Sequence, residues 1–120
     1  MRENIVQQKS LDFSLLIIEL YKKLIERKEF IISKQIFRSG TSIGANIEES
    51  IGAQSRNDFI SKLSISYKEA RETEYWLKLL IGGNYITQKE FDFYKDKVVE
   101  ILKLLTAIQK TTKNTKPGVI

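Results

Sequence analysis

The amino-acid sequence predicts an all-α protein, an antiparallel up-down-up-down four-helix bundle. Three observations carry that expectation. Apolar residues recur at steps of three and four along four separate stretches, the period of a helix face and not of a strand. Glycines and Ser/Thr-x-x-Asp/Glu signatures stand between the stretches, where one helix stops and the next starts. One Pro and six Gly in 120 residues leave the elements long and unbroken, against a turn-rich β-sandwich.

The first helix is expected over 10–27, with Ser10 as its N-cap and Phe13, Ile17, Leu20 and Leu24 as its core stripe. The second is expected over 31–54, with Ile32, Ile36, Ile43, Ile47 and Ile51 facing the core and Gly40 filling the missing turn. Its β-branched residues and two glycines weaken it as an isolated helix, so it depends on tertiary packing. The third is expected over 57–81, with Ser55-x-x-Asp58 and Asn57 as competing starts. Phe59, Leu63, Ser66, Ala70, Thr73, Leu77 and Leu80 form its face, and Gly82-Gly83-Asn84 its stop. The fourth, over 88–112, opens on the capping box Thr87-x-x-Glu90. It continues as a heptad seam of Phe91, Tyr94, Val98, Ile101, Leu105 and Ile108. The bundle is read as one domain over 1–113, followed by a flexible basic tail over 114–120 containing Pro117-Gly118.

Composition removes several chemistries. There is no Cys and no His. A disulfide framework, a cysteine nucleophile, a Ser-His-Asp triad and a histidine metal site are therefore excluded. The longest apolar run, Leu15–Ile18, is far short of the ~20 residues that span a bilayer. The N-terminus is polar, without a signal-peptide core. A cytoplasmic protein with no membrane contact and no cofactor is expected. The net charge is +5, and three of those charges are Lys110, Lys113 and Lys116. Excess basic charge invites nucleic acid, but the body before Lys110 carries only +2.

Some large apolar residues fall off the core stripes: Leu15, Ile65, Trp76, Leu79, Phe93 and Leu104. Scattered ones are ordinary. Their alignment on several helices instead predicts a second buried surface, and so a homo-oligomer. The second helix also carries Arg38-Ser39-Gly40-Thr41-Ser42-Ile43-Gly44-Ala45-Asn46, in which only Ile43 is large and apolar. Small residues let a neighbouring backbone approach closely. A structural interface with Arg38 paired to a carboxylate, a phosphate or nucleic-acid groove using Arg38, Ser39, Ser42 and Asn46, and an enzyme site all remain open for this stretch. The S-G-T-S-I-G run is not a phosphate loop, since it matches neither glycine-rich spacing and lies within a helical pattern.

On the third helix Glu74 falls within the core arc and needs a partner, which Arg38, Arg71 or Asn46 could supply. Di-metal bundles pair Glu with His at i, i+3. With no His that pattern is absent, and structural ion pairs are the preferred reading of Glu69, Glu72 and Glu74.

The segments Q-I-F-R-S-G-T-S-I-G-A-N-I-E-E-S (35–50) and D-F-I-S-K-L-S-I-S-Y-K-E-A-R-E-T-E-Y-W-L-K-L-L (58–80) closely resemble the 23S ribosomal-RNA intervening-sequence protein family, over roughly residues 10–110. These are small bacterial four-helix bundles. The accessory variability determinant of diversity-generating retroelements is a relative. The resemblance implies a ring, commonly a homopentamer, and no established activity for most members. It implies family-signature or interface roles for Arg38, Ser39, Gly40, Thr41, Ser42, Gly44, Asn46, Glu69, Glu72, Glu74, Tyr75 and Trp76. The retroelement relative associates with a reverse transcriptase and binds nucleic acid through a basic surface.

The functional expectation is a non-enzymatic oligomeric scaffold or adaptor associated with RNA, DNA or a nucleic-acid enzyme such as a reverse transcriptase. Arg38, Lys110, Lys113 and Lys116 are its candidate nucleic-acid contacts, and it has no metal. The alternative is a protein-interaction module without nucleic-acid contact. Truncation after Gln109 is expected to remove non-specific nucleic-acid binding and leave the bundle intact.

Overall fold

A computed structural model of the chain describes residues 2–113, with the side chains of residues 4–113. The tail over 114–120, with Lys116, lies outside the described residues. Four helices and no strand make up that span: α1 (Arg2–Glu26), α2 (Ile32–Ile51), α3 (Arg56–Gly82) and α4 (Gln88–Lys113). α1 packs on α2 and α4, and α3 on α2 and α4. The result is an antiparallel bundle about 50 Å long and 21 by 19 Å across.

The core is the set of stripes read from the sequence. Phe13, Ile17, Leu20 and Leu24 meet Ile36, Ile43 and Ile47, and the α3 face from Phe59 to Leu80 closes on Tyr94, Val98, Ile101, Leu105 and Ile108. Two expectations are corrected. Ile51, assigned to the α2 stripe, is 48 % exposed at the last turn. Ser10 is no N-cap: α1 starts at Arg2, and Ser10 is a buried mid-helix residue whose Oγ donates to the Gln7 carbonyl at 3.0 Å. The apolar period continues N-terminally through buried Val6, one heptad before Phe13, and that burial holds the extra turns as helix.

The small residues of α2 admit α1. A Cβ on Gly40 would stand 2.7 Å from Ile17 Cγ1, and one on Gly44 3.3 Å from the Ser10 carbonyl. Ser39, Thr73 and Ser66, buried between α2 and α3, are hydrogen-bonded. Thr73 Oγ1 donates to the Glu69 carbonyl at 2.8 Å. Its one proton is thereby used, so Ser39 is the donor in the 2.8 Å Ser39–Thr73 bond. Ser66 Oγ donates to the Ile43 carbonyl at 2.9 Å.

The helix ends are closed by varied devices. Ser55 caps α3, its Oγ accepting from the Asp58 amide at 3.0 Å. Thr87 and Glu90 form a reciprocal capping box (3.1 and 2.9 Å). α2 ends at Ile51, short of the expected Gln54, with Gly52 closing it. At its other end Ile31 has no capping side chain of its own. There the buried Glu29 carboxylate accepts from the amides of Ile31 (3.2 Å), Ile32 (3.1 Å) and Ser33, an anion on the positive helix end. α1 and α3 both finish in Schellman closures, Glu29 N to Leu24 O and Tyr85 N to Leu80 O, each 2.9 Å. The left-handed residues are Lys28 (φ 63°) and Asn84 (φ 66°), and at the end of α3 that residue is Asn84 and not Gly83 before it (φ -86°).

Candidate functional site

The signature residues divide between the interior and one outer face. Ser39, Gly40 and Gly44 are buried and serve the α1–α2 and α2–α3 seams, so the groove reading that used Ser39 as a ligand donor is corrected. Thr41 and Ser42 turn back onto α2, donating to the carbonyls of Phe37 (2.7 Å) and Arg38 (2.6 Å). Asn46 Nδ2 donates to the Ser42 carbonyl at 2.8 Å. These side chains smooth the helix rather than project a binding set.

Arg38 lies at the centre of the outer α2–α3 face. Its Nη1 donates to Glu69 Oε2 at 2.8 Å and its Nη2 to Glu72. Trp76 Nε1 donates to the same Glu72 oxygen at 3.2 Å, and Tyr75 meets the Trp76 ring edge-on at 5.3 Å. The Arg38 hydrogen bond holds the Glu72 carboxyl below the ordinary carboxylate range, and Glu72 in turn raises the guanidinium. Arg38 is thus engaged by two carboxylates. Glu74, expected to need a core partner, sits half-buried on the α4 side of α3 with Arg71 Nε at 3.4 Å. The candidate nucleic-acid residue Arg38 therefore belongs to a structural cluster, and three of the candidate signature acids resolve into ion pairs on two different faces.

Several large apolar residues of α1 and α3 stand exposed on the same side of the bundle. Leu11, Leu15, Ile65, Leu79 and Tyr75 are exposed, Leu15 to 55 %. Cross-helix contacts fix their levels. Gln7 reaches Glu48, Tyr21 packs on Phe37, Ser66 bonds Ile43 and Lys62 lies by Glu49. These pairings bring Leu11, Ala45 and Ile65 to one height, so exposed Ala45 forms a low strip of α2 between ridges of α1 and α3. Leu11 was missed by sequence reasoning, whereas Ala45 lies in the small-residue run of α2 that the sequence singled out. A wheel drawn for α1 alone puts Leu11 beside Leu15, and that was the available signal. Phe93 of α4 is exposed too, while Leu104 and Trp76 are partly covered.

Lys110 and Lys113 lie in the last turn of α4, exposed. Together with Tyr67, Thr106 and Gln109 they line an open depression of about 410 Å³ between α3 and α4.

No helix among the described residues is long and apolar enough to cross a membrane. No curated protein is similar enough to the chain to count as a match. Among solved structures, the chain is similar to a protein of unknown function from the S23 ribosomal protein family of Bacteroides thetaiotaomicron. The two share 57 % identity over 92 % of this chain and 99 % of that one, with a TM-score of 0.91. That relative has no assigned activity. The model of the 23S rRNA-intervening sequence protein family matches residues 2–107, nearly all of the bundle just described, and the chain belongs to that family.

Proposed function

We propose that the chain is a non-enzymatic bundle that assembles with copies of itself in the cytoplasm and serves as a scaffold or adaptor for RNA, DNA or a nucleic-acid enzyme. The observation that carries the assembly is the ridge–strip–ridge face: Leu11, Ala45 and Ile65 at one level, with Leu15 and Leu79 beyond. Exposed apolar residues gathered on one face in this way mark an interaction site. The exposed Phe93 on α4 gives a second, different patch. Two different patches suit a heterologous, ring-closing contact, and five copies is the number that the family resemblance suggests.

Nucleic acid leads the partner classes because the family is named for 23S rRNA and the relative for the S23 ribosomal proteins. A protein-only module is the competing reading. Light scattering at micromolar concentration tests the assembly. The expected mass is a multiple of 13.9 kDa, and Leu15→Asp with Ile65→Asp is expected to return one chain mass with helicity retained. A single-chain mass for the unsubstituted protein refutes the assembly. A salt titration tests the partner class, since phosphate contacts make affinity fall steeply with salt.

A further inference from the structure

The four seams of the bundle differ in charge. The α1–α4 seam pairs Lys9 with Glu100 and Arg27 with Glu90, and the α2–α3 seam pairs Arg38 with Glu69 and Glu72. The outward side of the C-terminal half of α4 is different. Lys110 and Lys113 border a depression shared with α3, Lys103 stands one heptad before Lys110 on the outer surface of α4, and all three are exposed. None has a carboxylate within ion-pair distance among the described residues. Two lysines in a last turn are ordinary complements of the helix dipole, but that does not account for what they surround. The depression that Lys110 and Lys113 border is lined also by Tyr67, half-buried, and by Gln109, whose amide donates to Ser64 Oγ at 3.3 Å. Its volume of about 410 Å³ accepts a planar ring the size of a nucleobase. From Lys103 to Lys113 the cations extend over about 15 Å of helix.

We propose that this α3–α4 groove binds a single-stranded nucleic acid, with a base seated against Tyr67 and the phosphates on Lys103, Lys110 and Lys113. An aromatic platform within a basic track is the arrangement that binds single strands without sequence preference. A duplex keeps its bases stacked and offers the groove phosphates alone. The proposal rests on the nucleic-acid reading above and locates it on α4 and Tyr67 instead of Arg38.

The test is fluorescence anisotropy of labelled oligo(dT) and oligo(U), each about 12 nucleotides, with the full chain near ~50 mM salt. Lys103→Gln/Lys110→Gln/Lys113→Gln is compared with a control of equal charge change at the opposite end, Lys22→Gln/Lys28→Gln/Lys34→Gln. The groove triple is expected to weaken binding about tenfold or more and to reduce the log–log salt slope by about 2, at roughly 0.7 per lost contact on a single strand. The control is expected to keep the slope of the unsubstituted protein. Tyr67→Leu is expected to weaken binding about tenfold with the salt slope unchanged, a separation that charge loss cannot produce. Tyr67→Phe keeps the platform and the affinity. Circular dichroism confirms that each variant is folded, and the lysine triple decides the matter should Tyr67→Leu fail to fold. Unchanged affinity in the groove triple overturns the groove while the nucleic-acid reading survives. A duplex of equal length binding as tightly overturns the single-strand assignment. No binding by the unsubstituted protein overturns both the groove and the nucleic-acid reading.

Discussion

Gly40 and Ile17 illustrate how a single atom sets the α1–α2 distance. A Cβ on Gly40 would stand 2.7 Å from Ile17 Cγ1, and Ile17 is fully buried with nowhere to turn. Gly40→Ala gains about 1 kcal/mol of helix propensity but meets an overpacking cost of about 1–3 kcal/mol. The expected outcome is a net loss of stability, read by chemical denaturation. Glu29 presents the opposite case, a side chain whose removal leaves three amides unserved. Glu29→Ala is expected to cost about 2 kcal/mol in the same measurement. The stripe of Ile36, Ile43 and Ile47 on α2 was legible because periodicity is local. Glu29 was not, because the carboxylate stands upstream of the usual cap position and carries no Ser/Thr signature. The partner of Arg38 was not legible either: Glu69, Glu72 and Glu74 are all in reach on paper, and only the rotation of α3 against α2 chooses among them.

At the scale of elements, the caps and stops divide by how local their signals are. Thr87-x-x-Glu90 reads directly from four residues, and the structure forms it. The start of α1 at Arg2 lacks such a mark and follows from the burial of Val6, which is a tertiary fact. The capping box has a second layer, since Arg27 donates to both Glu90 oxygens (3.0 and 2.9 Å) and to the Tyr85 carbonyl (2.9 Å). The Arg27 bond, with help from the Thr87 amide, lowers the Glu90 carboxyl to about 2. Because the folded value is depressed, this stabilisation is fully present above the unfolded value near ~4.3 and is lost as pH falls from there towards 2. Glu90→Gln is expected to cost about 1–2 kcal/mol near neutral pH, after allowance for the partly exposed Arg27. It should also flatten the acid limb of a melting-temperature profile. On the same end, Lys28 occupies a left-handed position that costs a side chain about 1 kcal/mol. Lys28→Gly is therefore expected to raise the melting temperature by a few degrees.

For the whole molecule, the four-helix architecture was legible because each stripe is regular and the links are short. The division of the surface was not, since it depends on how four phases combine. The expectation that truncation after Gln109 spares the bundle also changes. Thr112 is buried, and its carbonyl accepts from Arg56, so the cut removes part of the α3–α4 seam. It is expected to lower the melting temperature as well as any nucleic-acid affinity, whereas point substitution of Lys110 and Lys113 separates the two effects.

The pairing of Lys9 with Glu100 and of Arg27 with Glu90 runs α1 against α4 in the same antiparallel sense as the consecutive helices. The start of α1 and the end of α4 accordingly meet at one end of the bundle. The path of the chain is almost a closed circuit, and where it opens is a matter of covalent order more than of packing. A permuted gene that joins those ends through a short linker and begins at Ala53, beyond exposed Gly52, would encode the same four-sided bundle with α3 first.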